Sequence, residues 1–424
     1  MQTKFPLRSP KKIYWPIVFF CALIAIGLLM RDTYGVSISR FVLLGLAAIP
    51  IMLFPVEKLV WFVSFLIPLY VGLPGNYISA LVFIRLIYAA YCKHFCWDTG
   101  TFAASICVAI YVLMQNIFYG YMGVYHIICA VDFVVLGMLF SITLQKKQTS
   151  GVIFFYGLGI LTTSVIMLMT TLNYYSFSDL MNSATRLGYT GMIGEHVKSS
   201  MVVSIDPNFL GMNAIAVLST YYMLLQSKDI PKFGKIGIIL IASAVVLICL
   251  LGLSRAYILV LALWIALVIV SQRNVKVFIG TVIGIGIFAV LFMRTFPGVV
   301  EGFIVRFAES DMEGGNGRLK LILLYYDIWE ETIASILFGI GLFNCHTHCG
   351  PLLYLFGIGA VGGVVLLIWC AKLLEKVRIC SIRIRIHYYI PLVVTMIMFS
   401  SIPAAGSINY SYPLVMATLA IAIK

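Results

Sequence analysis

Charge is what this chain of 424 residues has least of. Asp, Glu, Lys and Arg together make up 11% of it, whereas a soluble domain carries about 25%, and that shortfall excludes an ordinary globular enzyme. Acidic residues are scarcer still, 16 against 29 Lys plus Arg. Pro- or Ser-rich linkers, low-complexity tracts and any evident internal repeat are also missing, so nothing marks a domain boundary and residues 1–424 read as one unit. What fills the chain is apolar: 62% hydrophobic residues, with a mean hydropathy of +1.04.

A membrane-spanning helix needs roughly 20 consecutive, mostly apolar residues. Runs of that kind occur near 12–30, 37–54, 57–73, 76–92, 101–119, 124–144, 150–172, 206–226, 233–251, 255–271, 275–293, 349–371, 386–402 and 408–423. The expectation is an all-α polytopic membrane protein with about 14 transmembrane helices (12–14). The first run lacks a small-residue cleavage site and more runs follow it, so it reads as a span and not as a signal peptide. With the N-terminus inside, nineteen Lys and Arg fall in inner segments, eight in outer ones, and Arg40 and Arg85 within spans. Lys and Arg favour the cytoplasmic side, so both termini are expected there. The net charge of +13 is then a topology signal and not a nucleic-acid patch, because it is spread over short loops and tails.

Two segments are too long to be turns, 173–205 and 294–348, and both emerge outside in this register. Long loops in a compact protein are usually functional or disordered, and the aromatic and regular apolar positions in these argue for function. In the second, Arg318 begins an apolar helix running through Trp329, too short and too charged to cross and therefore expected along the interface. "FGIG" then turns the chain into "NCHTHCG", residues 344–350. A disulfide between Cys345 and Cys349 is chemically permitted on that side. Zinc is disfavoured, because structural zinc sites use ligand pairs separated by a long segment. Asp132 and Arg85, mid-span, read first as a buried structural pair and second as a proton path.

The pattern Gly317-Arg318, Trp329, Leu337-Phe338-Gly339-Ile340-Gly341, Asn344, His348, Gly359 and Gly362 resembles that of the O-antigen polymerase and ligase superfamily of bacterial envelope glycosyltransferases. Ser254-Arg255 opening a span is a second matching element. "DPN", Asp206-Pro207-Asn208, is a third and looks more like the Wzy-type polymerase branch. The motifs cover roughly residues 186–362, and the earlier runs match in hydropathy only. Ala256 stands where the family often has Gly, and Cys349 where Asn commonly follows the histidine.

The resemblance implies polymerisation of undecaprenyl-diphosphate-linked oligosaccharide repeat units at the periplasmic face of a bacterial inner membrane. It implies no cofactor or metal, and as partners a chain-length regulator and a flippase besides the lipid bilayer. Arg255 and Arg318 would hold the donor diphosphate, since guanidinium forks match phosphate oxygens two at a time. His348 would be the general base on the acceptor hydroxyl. Arg186 would hold a second lipid diphosphate, and His346 falls among the substrate contacts. Asp206 and Asn208 fit a sugar contact or an N-cap equally well. A ligase moving finished polymer onto lipid A-core is the alternative. A lipid-linked-oligosaccharide flippase is the second alternative, disfavoured because such carriers show two similar halves.

Overall fold

A computed structural model describes residues 14–70, 72–96, 98–182, 207–226, 232–270, 275–308, 318–345, 347 and 349–376. Among them there is no strand, as expected where backbone polar groups meet little water and must be satisfied within each segment. The helices are α1 (Trp15–Asp32), α2 (Arg40–Leu53), α3 (Val56–Leu66, extended by a 3-10 turn Ile67–Leu69), α4 (Gly75–Tyr91), α5 (Thr99–Phe118), α6 (Val124–Gln145), α7 (Thr149–Leu172) and α8 (Phe177–Asn182). They continue with α9 (Pro207–Gln226), α10 (Lys232–Leu250), α11 (Arg255–Val270), α12 (Val275–Thr295), α13 (Pro297–Ala308), α14 (Arg318–Glu330), α15 (Ile333–Phe338) and α16 (Gly350–Lys376).

The all-α class stands, but the count of about fourteen spans does not. Among the described residues six helices are long and apolar enough to cross a membrane: α1, α5, α6, α7, most of α12 (Phe278–Thr295) and α16. The runs near 37–54, 76–92 and 255–271 fold as helices of 14, 17 and 16 residues, and the described apolar stretches of α9 and α10 are Leu210–Leu225 and Gly234–Leu250. The run at 57–73 fails most clearly, because α3 has only 11 residues. At about 1.5 Å per residue, and about 2 Å in the 3-10 turn that follows, it reaches roughly 22 Å, short of a hydrocarbon core about 30 Å thick. Hydropathy cannot separate a lipid-facing span from a helix made apolar by burial inside protein. Arg40 lies at the start of α2, one residue after the Ser39 cap. The runs at 386–402 and 408–423 lie outside the described residues.

Burial shows which helices are apolar for the second reason. In α3 every residue from Leu59 to Leu66 is buried, and the helix packs on α7 and α6. Close approach to α7 requires Gly159, where a Cβ would fall inside 3.0 Å of the Phe65 carbonyl. Buried hydroxyls on these helices bond back one turn: Ser64 to the Val60 carbonyl at 2.7 Å, Thr143 to Leu139 at 2.6 Å, and Ser164 to Ile160 at 2.8 Å. They are thereby satisfied without water. By contrast, the α12 window carries no buried residue and offers Ile283, Ile287 and Leu291 outward.

Polar knots fix the helix ends. Arg31 grips Asp32 through two nitrogens at 2.7 and 2.9 Å and donates to the Gly72 carbonyl at 2.8 Å. Thr33 meets the Thr170 hydroxyl at 3.1 Å, and Asn173 donates to the Thr33 carbonyl, so α1 is tied to α7. Arg85 and Asp132 are both buried on the packed helices α4 and α6, with Arg85 donating to the Phe54 carbonyl at 3.2 Å.

Candidate functional site

Two identical tetrapeptides, Phe338-Gly339-Ile340-Gly341 and Phe356-Gly357-Ile358-Gly359, lie against each other. Ile340 N donates to the Phe356 carbonyl at 2.9 Å and Gly341 N to the Gly357 carbonyl at 3.0 Å. Backbone can approach backbone this way because α16 is broken at Gly359, with φ 68° and ψ −178°. Gly339 caps α15 at φ 85°, ψ 173°. Both conformations belong essentially to glycine. A Cβ on Gly339 would fall inside 3.0 Å of the Gly357 carbonyl, and one on Gly359 would meet Gly339 N and the Leu337 carbonyl.

A broken helix leaves carbonyls without their usual partners, and in a membrane protein a neighbouring helix must supply donors. Here α5 does so from residues four apart, which stand one above another on a helix face. Tyr111 donates to the Ile358 carbonyl at 2.7 Å. Gln115 Nε2 donates to the Phe338 carbonyl at 2.7 Å and to the Gly357 carbonyl at 2.6 Å, while its Oε1 accepts from Leu342 N at 3.3 Å. Tyr119 donates to the Gly339 carbonyl at 2.6 Å. Past the turn, Tyr121 donates to the Asn344 side chain, which in turn donates to the Ile340 carbonyl at 2.8 Å. Phe343 packs edge-on against His126, ring centroids 4.5 Å apart.

The helix that Arg318 opens lies over this crossing. Trp329 packs on Phe356 with centroids 5.3 Å apart, and Tyr325 joins the cluster formed by Ile340, Cys345, Leu353 and Phe356. Burial, together with nearby Cys345, pushes the Tyr325 hydroxyl pKa up. Outward, α14 exposes Leu319, Leu323, Leu324 and Ile328 alongside Lys320, Asp327 and Glu330, a mixture suited to lipid headgroups. Cys345 and Cys349 are free thiols and not a disulfide. Burial pushes the Cys345 thiol up to about 11. Among the described residues no group of three or more His, Cys, Asp or Glu is placed to hold a metal ion.

Of the residues singled out by sequence, Arg255 is half-buried at the start of α11. Leu253 before it is left-handed, φ 48°, and Ser254 caps the helix by accepting from Tyr257 N at 3.3 Å. Arg318 is the first residue of α14, two turns ahead of Tyr325, and its side chain lies outside the described residues. Asn208 is in the first turn of α9, its side chain likewise outside. Arg186, Asp206, His346 and His348 lie outside the described residues altogether. Helix α11 packs on α9, α10, α12 and α13, whereas α14 packs on α15 and α16.

Sequence reading missed Tyr111, Gln115, Tyr119 and Tyr121 entirely. Two signals could have found them: the repeated FGIG, eighteen residues apart, and the four-residue spacing of Tyr111, Gln115 and Tyr119 along and just past α5. The fold defines a polytopic, all-α membrane protein. Compared with protein-family models, curated proteins and solved structures, the chain matches none.

Proposed function

We propose that this protein is an integral-membrane glycosyltransferase of the O-antigen polymerase kind, joining repeat units carried on undecaprenyl diphosphate at the periplasmic face of a bacterial inner membrane. The observation that carries the reading is the packing of α14, opened by Arg318, onto the segment that leads into His346 and His348. The glycines of the resemblance, Gly339, Gly341, Gly359 and Gly362, stand within that same crossing. The arginines support it too. Arg255 and Arg318 each occupy the first position of a helix, where the helix dipole opposes a cation by about 0.3–1 kcal/mol. A basic residue there makes sense when an anion offsets the unfavourable end of the dipole.

Deleting the gene in its host and separating the surface polysaccharide on a gel tests the reading. Loss of a polymerase leaves acceptor capped with a single repeat unit, or no polymer. Full-length polymer stranded on its lipid carrier would identify a ligase instead, and an unchanged ladder would sink both.

Arg318→Lys and Arg255→Lys are each expected to abolish or severely reduce polymer while the protein still inserts. Lysine keeps the charge but loses the planar fork. Normal ladders from both variants would reduce these arginines to headgroup anchors.

A further inference from the structure

We propose that Gln115 is the positioning residue of this site, holding the two FGIG segments in register with each other; the role rests on the transfer reading above. The carboxamide is fully engaged. Its two hydrogens go to carbonyls on opposite strands of the crossing, Phe338 and Gly357, and its oxygen takes the Leu342 amide. Phe338 and Leu342 precede the histidine stretch in the chain and Gly357 follows it, so one side chain joins the segments on either side of that stretch. Tyr111 and Tyr119 add one strong bond each, to Ile358 and Gly339. Asn116, next in the chain, ties α5 to the start of α6 through the His126 carbonyl at 3.0 Å.

The chemistry of an amide between two carbonyls supplies a test that simple destabilisation would not pass. Glutamate at 115 has nearly the same shape. Its neutral acid keeps one donor and one acceptor, whereas its carboxylate can only accept and would face two carbonyl oxygens. Gln115→Glu should therefore hold the crossing in part when protonated, through one carbonyl and the Leu342 amide, and release it as pH rises and the last donor is lost. The ionisable groups on the elements packed here include Tyr111 on α5, Tyr119 and Tyr121 just beyond it, Tyr125, His126 and Asp132 on α6, Tyr325, Tyr326, Asp327 and Glu330 on α14, and Cys345 and Cys349 between the two FGIG segments. Segments 338–344 and 356–362 contain none. All of these are shared by wild type and variant, so comparison at matched pH isolates position 115.

The experiment uses the full chain in membrane vesicles, from about pH 5 to about pH 9.5, a range that covers a buried glutamate. Labelling of Cys345 by a methanethiosulfonate reagent, resolved by peptide mass spectrometry, reports release of the loop, because that thiol is buried against the crossing. Polymer formation is followed in parallel. Relative to wild type at the same pH, Gln115→Glu is expected to label partway faster at the acid end, where one of the two carbonyl bonds is already lost, and on the order of tenfold faster at the alkaline end, as local opening would give, with polymer lost over the same interval. Gln115→Leu should label fast at every pH. Labelling as slow as wild type throughout, in a chain that polymerises normally, overturns the positioning role and leaves the transfer reading standing. Gated labelling in a protein whose wild type makes no polymer overturns the transfer reading, and Gln115 is then a structural clamp only. Should Gln115→Glu fail to insert, Tyr119→Phe deletes one bond without adding charge. It should expose Cys345 partway, and no change there also overturns the proposal.

Discussion

Alanine at Gly359 or Gly339 is expected to remove correctly folded protein from the membrane. Each position holds a positive-φ, extended-ψ backbone conformation that is essentially restricted to glycine and costs any other residue about 1–3 kcal/mol. Each also has main chain where the Cβ would go, Gly357 for one and Gly339 with Leu337 for the other. Main chain paired on both sides cannot rotate away as a side chain can, so overpacking of about 1–3 kcal/mol adds to the first cost. Against a total stability of about 5–15 kcal/mol that is a large fraction. Neighbouring glycines grade the effect. At Gly362 the obstacles are side chains, the Tyr111 ring at 2.5 Å and Ile358 with its Cβ at 2.7 Å, and no positive φ adds to the cost, so an intermediate loss is expected. At Gly363 there is open space, and alanine there should be neutral or slightly stabilising in a helix. Yield of monodisperse protein after detergent extraction, with thermal midpoints for the survivors, measures the series. Gly359→Ala behaving like Gly363→Ala would mean the two FGIG segments do not cross as described.

His348→Ala is expected to eliminate transfer, while His346→Ala costs little. The spacing to Gly359 and Gly362 matches the resemblance when counted from His348 and is two residues too long from His346. Gly359 being the break in α16 makes that spacing a structural one, since it fixes how many residues separate the histidine from the crossing. A general base must be neutral to accept the hydroxyl proton, so the rate should fall as pH drops below roughly 6–7, the ordinary imidazole range. The pH profile of polymer formation in vesicles, taken on both variants, checks this. A dead His346→Ala beside a working His348→Ala would place the base two residues earlier.

The helical class was legible because apolar runs of this length leave a backbone no other way to satisfy itself. The start of α14 was legible too, since Gly-Asn-Gly followed by Arg318 and an apolar stretch is a local signal. The number of spans was not. Leu59 to Leu66 is apolar because protein surrounds it, and a single sequence shows the residues without showing what surrounds them. Gln115 was invisible for a related reason: an amide within an apolar run is unremarked until the carbonyls it serves, more than 220 positions away, are placed beside it. Glycines reveal that backbone comes close, and the partner backbone is known only from the fold.

The shortness of α3 bears on how the chain is made. A helix of 11 residues cannot partition stably into a bilayer by its own length, and the surface that receives it belongs largely to α7, which ends at Leu172. That partner is completed about a hundred residues after α3, on the order of ten seconds later at roughly 5–20 residues per second. During that interval α3 must wait beside the insertion machinery or against α1 and α2, its earlier neighbours. Biogenesis of this protein is thus a matter of delayed docking, in which an early segment is committed to the membrane only once a later one arrives.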